Sequence, residues 1–233
     1  MKLISYFDAF MANTVNIDDS RLRYLKERVD TIYGVLSNDA ALGPVVLDIE
    51  PQGSWAHETI IKPVAGNEFD ADFMLVMDEQ DGWTPRDYID AVYKALRRHG
   101  TYKDKVKKKN RCVRVIYAND CHIDIVPFVI LSDGRKVIAN HETDAWEETD
   151  PEAFTKWMKD QDDAAERNLR RVIRLMKYLR DHHMHFKQTR SVILTVVLGE
   201  RVSESNKLSN PAYYRDLPSS FVHILEDLDA WMD

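Results

Sequence analysis

Two aspartates, Asp70 and Asp72, stand two residues apart at the start of an apolar run from Phe73 to Met77. Side chains alternate between the two faces of a β-strand, so both carboxylates would project to one face and Ala71 to the other. Carboxylates repel one another and lose hydration beside a core, so this placement needs a reason. Either the acids lie at a strand end, solvated or paired with Lys or Arg, or they hold a cation.

A third acid, Asp124, lies within the apolar segment CHIDIVP, which also predicts a strand. If the two strands are neighbours, three carboxylates converge at one edge of a sheet. Hard oxygen ligands suit Mg²⁺ or Mn²⁺, which keep coordination positions for water and substrate phosphates. We therefore predict that Asp70, Asp72 and Asp124 bind two divalent metal ions.

Upstream of these acids is the loop QGSWAHETIIKP, which contains Gly53 and Ser54. Glycine permits a tight turn, and the serine hydroxyl adds to main-chain N–H groups that can face an anion. The alternative for Ser54 is a helix cap. A Gly-Ser turn, two spaced acids and a distant third acid form a more specific pattern than any one part.

The elements that must position these residues form a mixed sheet followed by a helical half. The segment DDSRLRYLKERVDTIYGVL predicts an amphipathic helix, and TPRDYIDAVYKALRRHG predicts a second helix with Thr84 as its cap and Pro85 at its first position. Segment 162–183 predicts one continuous helix. We expect an α+β fold with a sheet lobe at about 41–145 and a helical lobe at about 150–233. A long N-terminal helix at about 1–40 is expected to join them as a spine.

Composition excludes several classes of protein. The 233 residues, 44% hydrophobic and 30% charged, are typical of a globular domain, and no apolar stretch approaches the roughly 20 residues that span a bilayer. The net charge of −7 argues against a protein that coats nucleic acid, although KDKVKKKNRCVR is basic enough for either a solvated loop or a polyphosphate contact. Two cysteines give no disulfide framework, so we expect a cytoplasmic protein without a signal peptide or membrane contact.

The arrangement of GS, EFDAD and HIDIVP resembles the polymerase-β-like nucleotidyltransferase superfamily. The loop from Gly53 to Pro63 fits a G-S-x-x-x-x-T-x-I-x-P-like signature of its bacterial cyclic-oligonucleotide branch, the SMODS-type CD-NTases, which are related to cyclic GMP–AMP synthase and oligoadenylate synthase. WEETDPEAFTKWM and RLMKYLRDH are similar to the family's segment after the sheet and to its phosphate-contacting helix. The resemblance extends from the first helix to about Leu228.

The resemblance implies a role for each site residue. Asp70, Asp72 and Asp124 would be the catalytic acids that hold two Mg²⁺ or Mn²⁺ ions. The nucleotide triphosphate would be bound by a further set: Gln52, Gly53, Ser54, Lys177 and Ser191. As for Ser54, structural roles are the alternatives for the last two residues. Lys177 could be solvated, and Ser191 could cap the helix that follows it.

The implied function is the condensation of NTPs into a cyclic di- or trinucleotide with release of pyrophosphate, in antiphage (CBASS) signalling. Its partners would be NTPs, an effector reached through the product and a regulatory protein. The alternatives are transfer of one nucleotide to a protein, RNA or small molecule, and a non-catalytic nucleotide-binding scaffold. The chain ends inside a predicted helix, LDAWMD, so the helical lobe is expected to be shorter than in the family.

Two other patterns suggest chemistry less strongly. His182, His183 and His185 could indicate zinc, but they lack cysteine or carboxylate partners at ligand spacing, and a helix end explains them. Cys121 and His122 could suggest a nucleophile with its base. Adjacent strand residues face opposite ways, so we predict no such pair.

Overall fold

The structure is a computed structural model that describes residues 2–64, 68–118, 121–183 and 186–233, apart from the side chain of Lys2. The described helices are α1 (Lys2–Phe10), α2 (Asp19–Ser37), α3 (Gly53–Ala56), α4 (Pro85–Arg98), α5 (Pro151–Ala164), α6 (Leu169–His182), α7 (Ser191–Gly199), α8 (Glu204–Ser209) and α9 (Leu217–Met232). The strands are β1 (Val46–Gln52), β2 (Phe69–Met77), β3 (Val106–Lys108), β4 (Val113–Tyr117), β5 (Cys121–Ile130), β6 (Lys136–Asn140) and β7 (Ala145–Glu148).

The described chain divides into two compact units. Residues 19–55 and 68–151 form the sheet unit, and residues 2–18, 56–64 and 152–233 form the helical unit. The predicted lobes differ from these units in two places. Helix α2 belongs to the sheet unit because it packs on α4 and β1, and segment 56–64 belongs to the helical unit.

The sheet has the strand order β1-β2-β5-β4-β3, and β6 pairs with the end of β5 and with β7. Strands β2 and β5 are parallel, whereas the other pairs are antiparallel, which confirms the predicted mixed sheet. In β2 the run from Phe73 to Leu75 is buried. This strand is therefore covered on both faces at its centre, which fixes the acids at its beginning.

The two helices of the sheet unit follow the sequence pattern closely. On α2 the buried residues are Leu25, Val29, Ile32 and Leu36. Helix α4 begins with a capping box in which Thr84 and Asp87 exchange backbone and side-chain hydrogen bonds, with Pro85 in the first turn. Both predictions for the start of α4 are confirmed.

The N-terminal region is two helices rather than one long one. Helix α1 runs into a π-helical turn at Met11–Val15, and the backbone is extended at Asn16 before α2 begins. Asn16 leaves the helix because it forms a β-bridge with Ile61. The predicted spine helix is thus only α2, and α1 belongs to the helical unit.

The helix predicted for 162–183 is not continuous. Helix α5 ends at Ala164 and α6 starts at Leu169, because Glu166 and Arg167 between them have φ values of 53° and 60°. A left-handed backbone cannot continue an α-helix. The break directs Leu169, with other apolar residues of α6, into a core shared with α7 and α9.

Helix α6 ends at His182, as predicted, while His185 of the histidine pattern lies outside the described residues. None of the described helices combines the length and the apolar character needed to cross a bilayer.

Candidate active site

The register of the two parallel strands brings the predicted acids together. Asp72 of β2 lies directly opposite Asp124 of β5, and Asp70 lies opposite His122. Residues paired in this way project to the same face of a sheet. The side chain of Asp124 is only 11% exposed, whereas that of Asp70 is 60% exposed. The site thus has a buried acid beside solvent-accessible ones.

The Gly-Ser loop lies against the same acids. Strand β1 ends at Gln52, which pairs with Asp72, and Gly53 follows with φ +59°. A Cβ atom added to Gly53 would lie 2.9 Å from Oδ2 of Asp72. Only glycine therefore combines the left-handed turn with this close approach to the carboxylate. Ser54 continues into the short helix α3, which places it in the turn next to the acids.

Arg114 of β4 binds to one of the three acids. The site prediction did not include this residue. Its Nε and Nη2 donate to Oδ1 and Oδ2 of Asp124, each at 2.7 Å, and Nη2 lies 4.0 Å from Oδ1 of Asp70. This two-pronged bond raises the pKa of the Arg114 guanidinium above its usual value. The sequence contained a signal for Arg114, because it is the one charged residue of β4 and alternates with the buried Val113 and Val115.

His122 contacts the exposed acid of the site. Its Nδ1 lies 3.2 Å from Oδ1 of Asp70, and its Nε2 lies 2.7 Å from Oε2 of Glu68. Cys121 is fully buried and contacts Arg28. The prediction that Cys121 and His122 form no catalytic pair agrees with this geometry, in which the imidazole positions Asp70.

Cys112, directly before β4, also borders the acidic group. Burial raises the pKa of its thiol, and the neighbouring carboxylate of Asp124 raises it further. The thiol is therefore protonated at neutral pH and acts as a hydrogen-bond donor rather than as a nucleophile.

The predicted divalent metal ions need hard oxygen donors. Three carboxylates offer the hard oxygen ligands that Mg²⁺ and Mn²⁺ prefer, so the residue types fit. Within the described ranges, however, no three His, Cys, Asp or Glu side chains are already arranged around a metal position. Both oxygens of Asp124 instead accept hydrogen bonds from Arg114.

The two predicted site residues of the helical unit are engaged within that unit. Lys177 of α6 is 4% exposed, and its Nζ donates to the carbonyl oxygen and Oγ1 of Thr59 at 3.0 and 2.9 Å. The alternative of a solvated lysine is therefore wrong. Oγ of Ser191 accepts from Arg180 at 3.0 Å, and Arg190 occupies the N-cap of α7, so the alternative of a Ser191 cap is wrong too. Their roles in nucleotide binding stay predictions.

His57 lies in the same part of the helical unit. Burial, together with the positive charges of Lys177 and Arg170, lowers its pKa from 6.5 to about 4. Its ring stacks edge-on against Phe154 with centroids 5.0 Å apart. His57 is therefore neutral at pH 7, beside the positive charges of Lys177 and Arg170.

This lowered pKa predicts a pH dependence of stability. As the pH falls from about 6.5 to about 4, unfolded chains take up a proton at His57 and folded chains do not, so the free energy of unfolding falls. We expect a loss of about 1–2 kcal/mol over this window, allowing for solvent screening. Urea unfolding of the wild type and of His57→Gln at pH 7 and 4.5 would measure it. The advantage of the wild type should shrink at pH 4.5, and an equal difference at both pH values would contradict the prediction.

Comparison with solved structures places this geometry in a known fold. The Vibrio cholerae DncV cyclic AMP-GMP synthase in complex with nonhydrolyzable GTP matches 96% of this chain and 77% of its own with a TM-score of 0.74 and 18% identity. The E. coli MS115-1 CdnC:HORMA-deltaN complex matches 94% of this chain and 67% of that one with a TM-score of 0.65 and 21% identity. Identities this low show the fold alone, and the two TM-scores confirm the predicted α+β fold.

Sequence comparison identifies the family. A c-di-GMP synthase of Roseivirga ehrenbergii is 31% identical over 157 residues, which cover 65% of this chain and 42% of that protein. The chain therefore spans about two fifths of this curated relative. The family model of the Second Messenger Oligonucleotide or Dinucleotide Synthetase domain matches residues 1–162. Since this match covers more than half of the 233 residues, the chain belongs to the SMODS family.

Proposed function

We propose that this protein is a nucleotidyltransferase that condenses NTPs into a cyclic di- or trinucleotide and releases pyrophosphate. One observation carries the proposal: Asp72 lies in register with Asp124 and against the Gly53 turn. This proximity supports a metal site at these acids with a triphosphate-binding loop beside it. The curated relative, a c-di-GMP synthase, supports the same class of reaction.

In the proposed mechanism, Asp70, Asp72 and Asp124 would hold two Mg²⁺ or Mn²⁺ ions. The metal ions would supply activation of the attacking hydroxyl and neutralisation of the triphosphate. The left-handed Gly53 turns the main chain so that its N–H groups and the Ser54 hydroxyl can face the β- and γ-phosphates. Gln52 holds this turn in place through its pairing with Asp72. These residues act chiefly by positioning the reactants.

Partners and location complete the proposal. The chain would act on NTPs and signal to an effector through its product, as in antiphage (CBASS) systems. The complex of CdnC with a HORMA protein supports a regulatory protein partner here. Cys112 and Cys121 are buried free thiols, which fits the reducing cytoplasm. The net charge of −7 argues against nucleic acid as the main partner.

A labelling experiment tests the function. The protein is incubated with each α-³²P-labelled NTP, alone and in pairs, with Mg²⁺ or Mn²⁺, and the reaction is then treated with phosphatase. A small labelled product that resists phosphatase supports a cyclic oligonucleotide. Label on a protein, RNA or other acceptor would replace the proposal with transfer of a single nucleotide. Nucleotide binding without incorporation would leave a non-catalytic scaffold.

A further inference from the structure

Arg114 occupies the position from which positive charge would act on two of the proposed metal ligands. It lies directly opposite Asp124 in the pairing of β4 with β5, so the strand register itself sets the contact. Both prongs of the guanidinium bind Asp124 at 2.7 Å, and one prong lies 4.0 Å from Asp70. A two-pronged bond of this kind fixes the orientation of a carboxylate as well as its charge.

Because the Arg114–Asp124 pair is largely buried, loss of either partner is expected to lower the stability of the fold. The side chains of Arg114 and Asp124 are 25% and 11% exposed. An acid that loses its cation in such surroundings leaves an uncompensated charge, which is strongly destabilising. By contrast, Arg111 makes a similar two-pronged bond to Glu147, but these side chains are 54% and 31% exposed. Exposed pairs contribute little, so Arg111 is a matched comparison on the same loop and strand region.

The same contact opposes metal binding. A guanidinium that bonds to both oxygens uses one acceptor position on each, and its charge repels a divalent cation placed close by. For Asp124 to bind a metal ion, Arg114 must move away or share the carboxylate. Rotation of the Arg114 side chain would free both oxygens, while strand pairing keeps the backbone of Asp124 in place.

We propose that Arg114 is an internal counter-cation of the active site, a positioning residue that holds Asp124 in the metal-free protein and competes with the metal ion for it. The inference rests on the proposed function in so far as Asp124 is a metal ligand. It adds that the Arg114 guanidinium and the metal ion replace one another at Asp124. The guanidinium thus stabilises the cluster of three acids when no metal ion is bound. Arg114 therefore sets the metal concentration at which the site fills.

The test measures Mn²⁺ binding and metal-free stability in the full chain. Electron paramagnetic resonance of free Mn²⁺ gives Kd for the wild type, Arg114→Met, Arg114→Lys and the control Arg111→Met. We expect Arg114→Met to bind Mn²⁺ about tenfold more tightly than the wild type, because a nearby repelling charge is gone. Its metal-free Tm should be several degrees lower, and Mn²⁺ should raise that Tm more than it raises the wild-type Tm. Arg111→Met should change neither quantity.

The outcomes separate this inference from the function on which it rests. If the wild type binds Mn²⁺ and Arg114→Met binds it equally tightly or more weakly, the proposed counter-cation role of Arg114 is overturned. Binding by Arg114→Met alone supports it, whereas no binding by either protein overturns the proposed metal site itself. If Arg114→Met does not fold, Arg114→Lys decides. Lysine keeps the positive charge but no longer bonds to both oxygens of Asp124 at once, so one oxygen becomes available to the metal ion. The Mn²⁺ affinity of Arg114→Lys should therefore still exceed that of the wild type. An equal or lower affinity overturns the inference.

Discussion

Replacing Asp72 with Asn is expected to reduce nucleotide incorporation by about 10³-fold or more, because an amide removes the ligand charge that the metal ions require. Asp72 links two parts of the site, since it lies opposite Asp124 and beside the Gly53 turn. The double variant Asp70→Asn, Asp72→Asn should abolish the phosphatase-resistant product. Incorporation is measured with labelled NTPs, and circular dichroism and Tm report on the fold.

The matched control for this experiment is Asp78→Asn. Asp78 follows directly after the last residue of β2, at the end of the strand distant from Asp70 and Asp72, and is exposed. It should keep wild-type incorporation and a wild-type Tm. Retention of more than about a tenth of the wild-type activity by Asp72→Asn would contradict a metal-ligand role, since loss of a true ligand costs far more.

Replacing Gly53 with Ala is expected to reduce activity by about 10²-fold, since misplacement of a catalytic group by about 1 Å has effects of this size. The new methyl group would lie 2.9 Å from Oδ2 of Asp72, so either the carboxylate or the turn must shift. In addition, alanine at φ +59° costs about 1–2 kcal/mol of backbone strain. Steady-state incorporation and thermal unfolding measure the two effects separately.

Gly82→Ala separates strain from displacement. Gly82 has φ +78°, but an added Cβ meets no atom within 4 Å. It should therefore lose a similar amount of stability and keep its activity. If both variants lose activity alike, the effect of Gly53→Ala comes from general destabilisation and not from the contact with Asp72.

Much of the candidate site followed from local rules that a sequence carries. Period-two alternation put Asp70 and Asp72 on one face, and the apolar context of Asp124 predicted a second acid-bearing strand, as β2 and β5 show. The Gly-Ser turn was predicted because glycine is needed for a left-handed backbone, which Gly53 has. The pairing of Arg114 with Asp124 could not be predicted in this way, since the sequence does not state which strand lies beside β5.

What the sequence by itself determined is the type and order of the elements and the chemistry of the three acids, because strand periodicity, caps and turns depend on neighbouring residues. What only the tertiary structure decided is which groups meet. Arg114 reaches Asp124 through strand register, and Lys177 reaches Thr59 across 118 residues of chain. The break before α6 has the same origin, because burial of Leu169 and its neighbours outweighs the left-handed strain at Glu166 and Arg167. Such choices depend on the packing of distant segments, which no local pattern records.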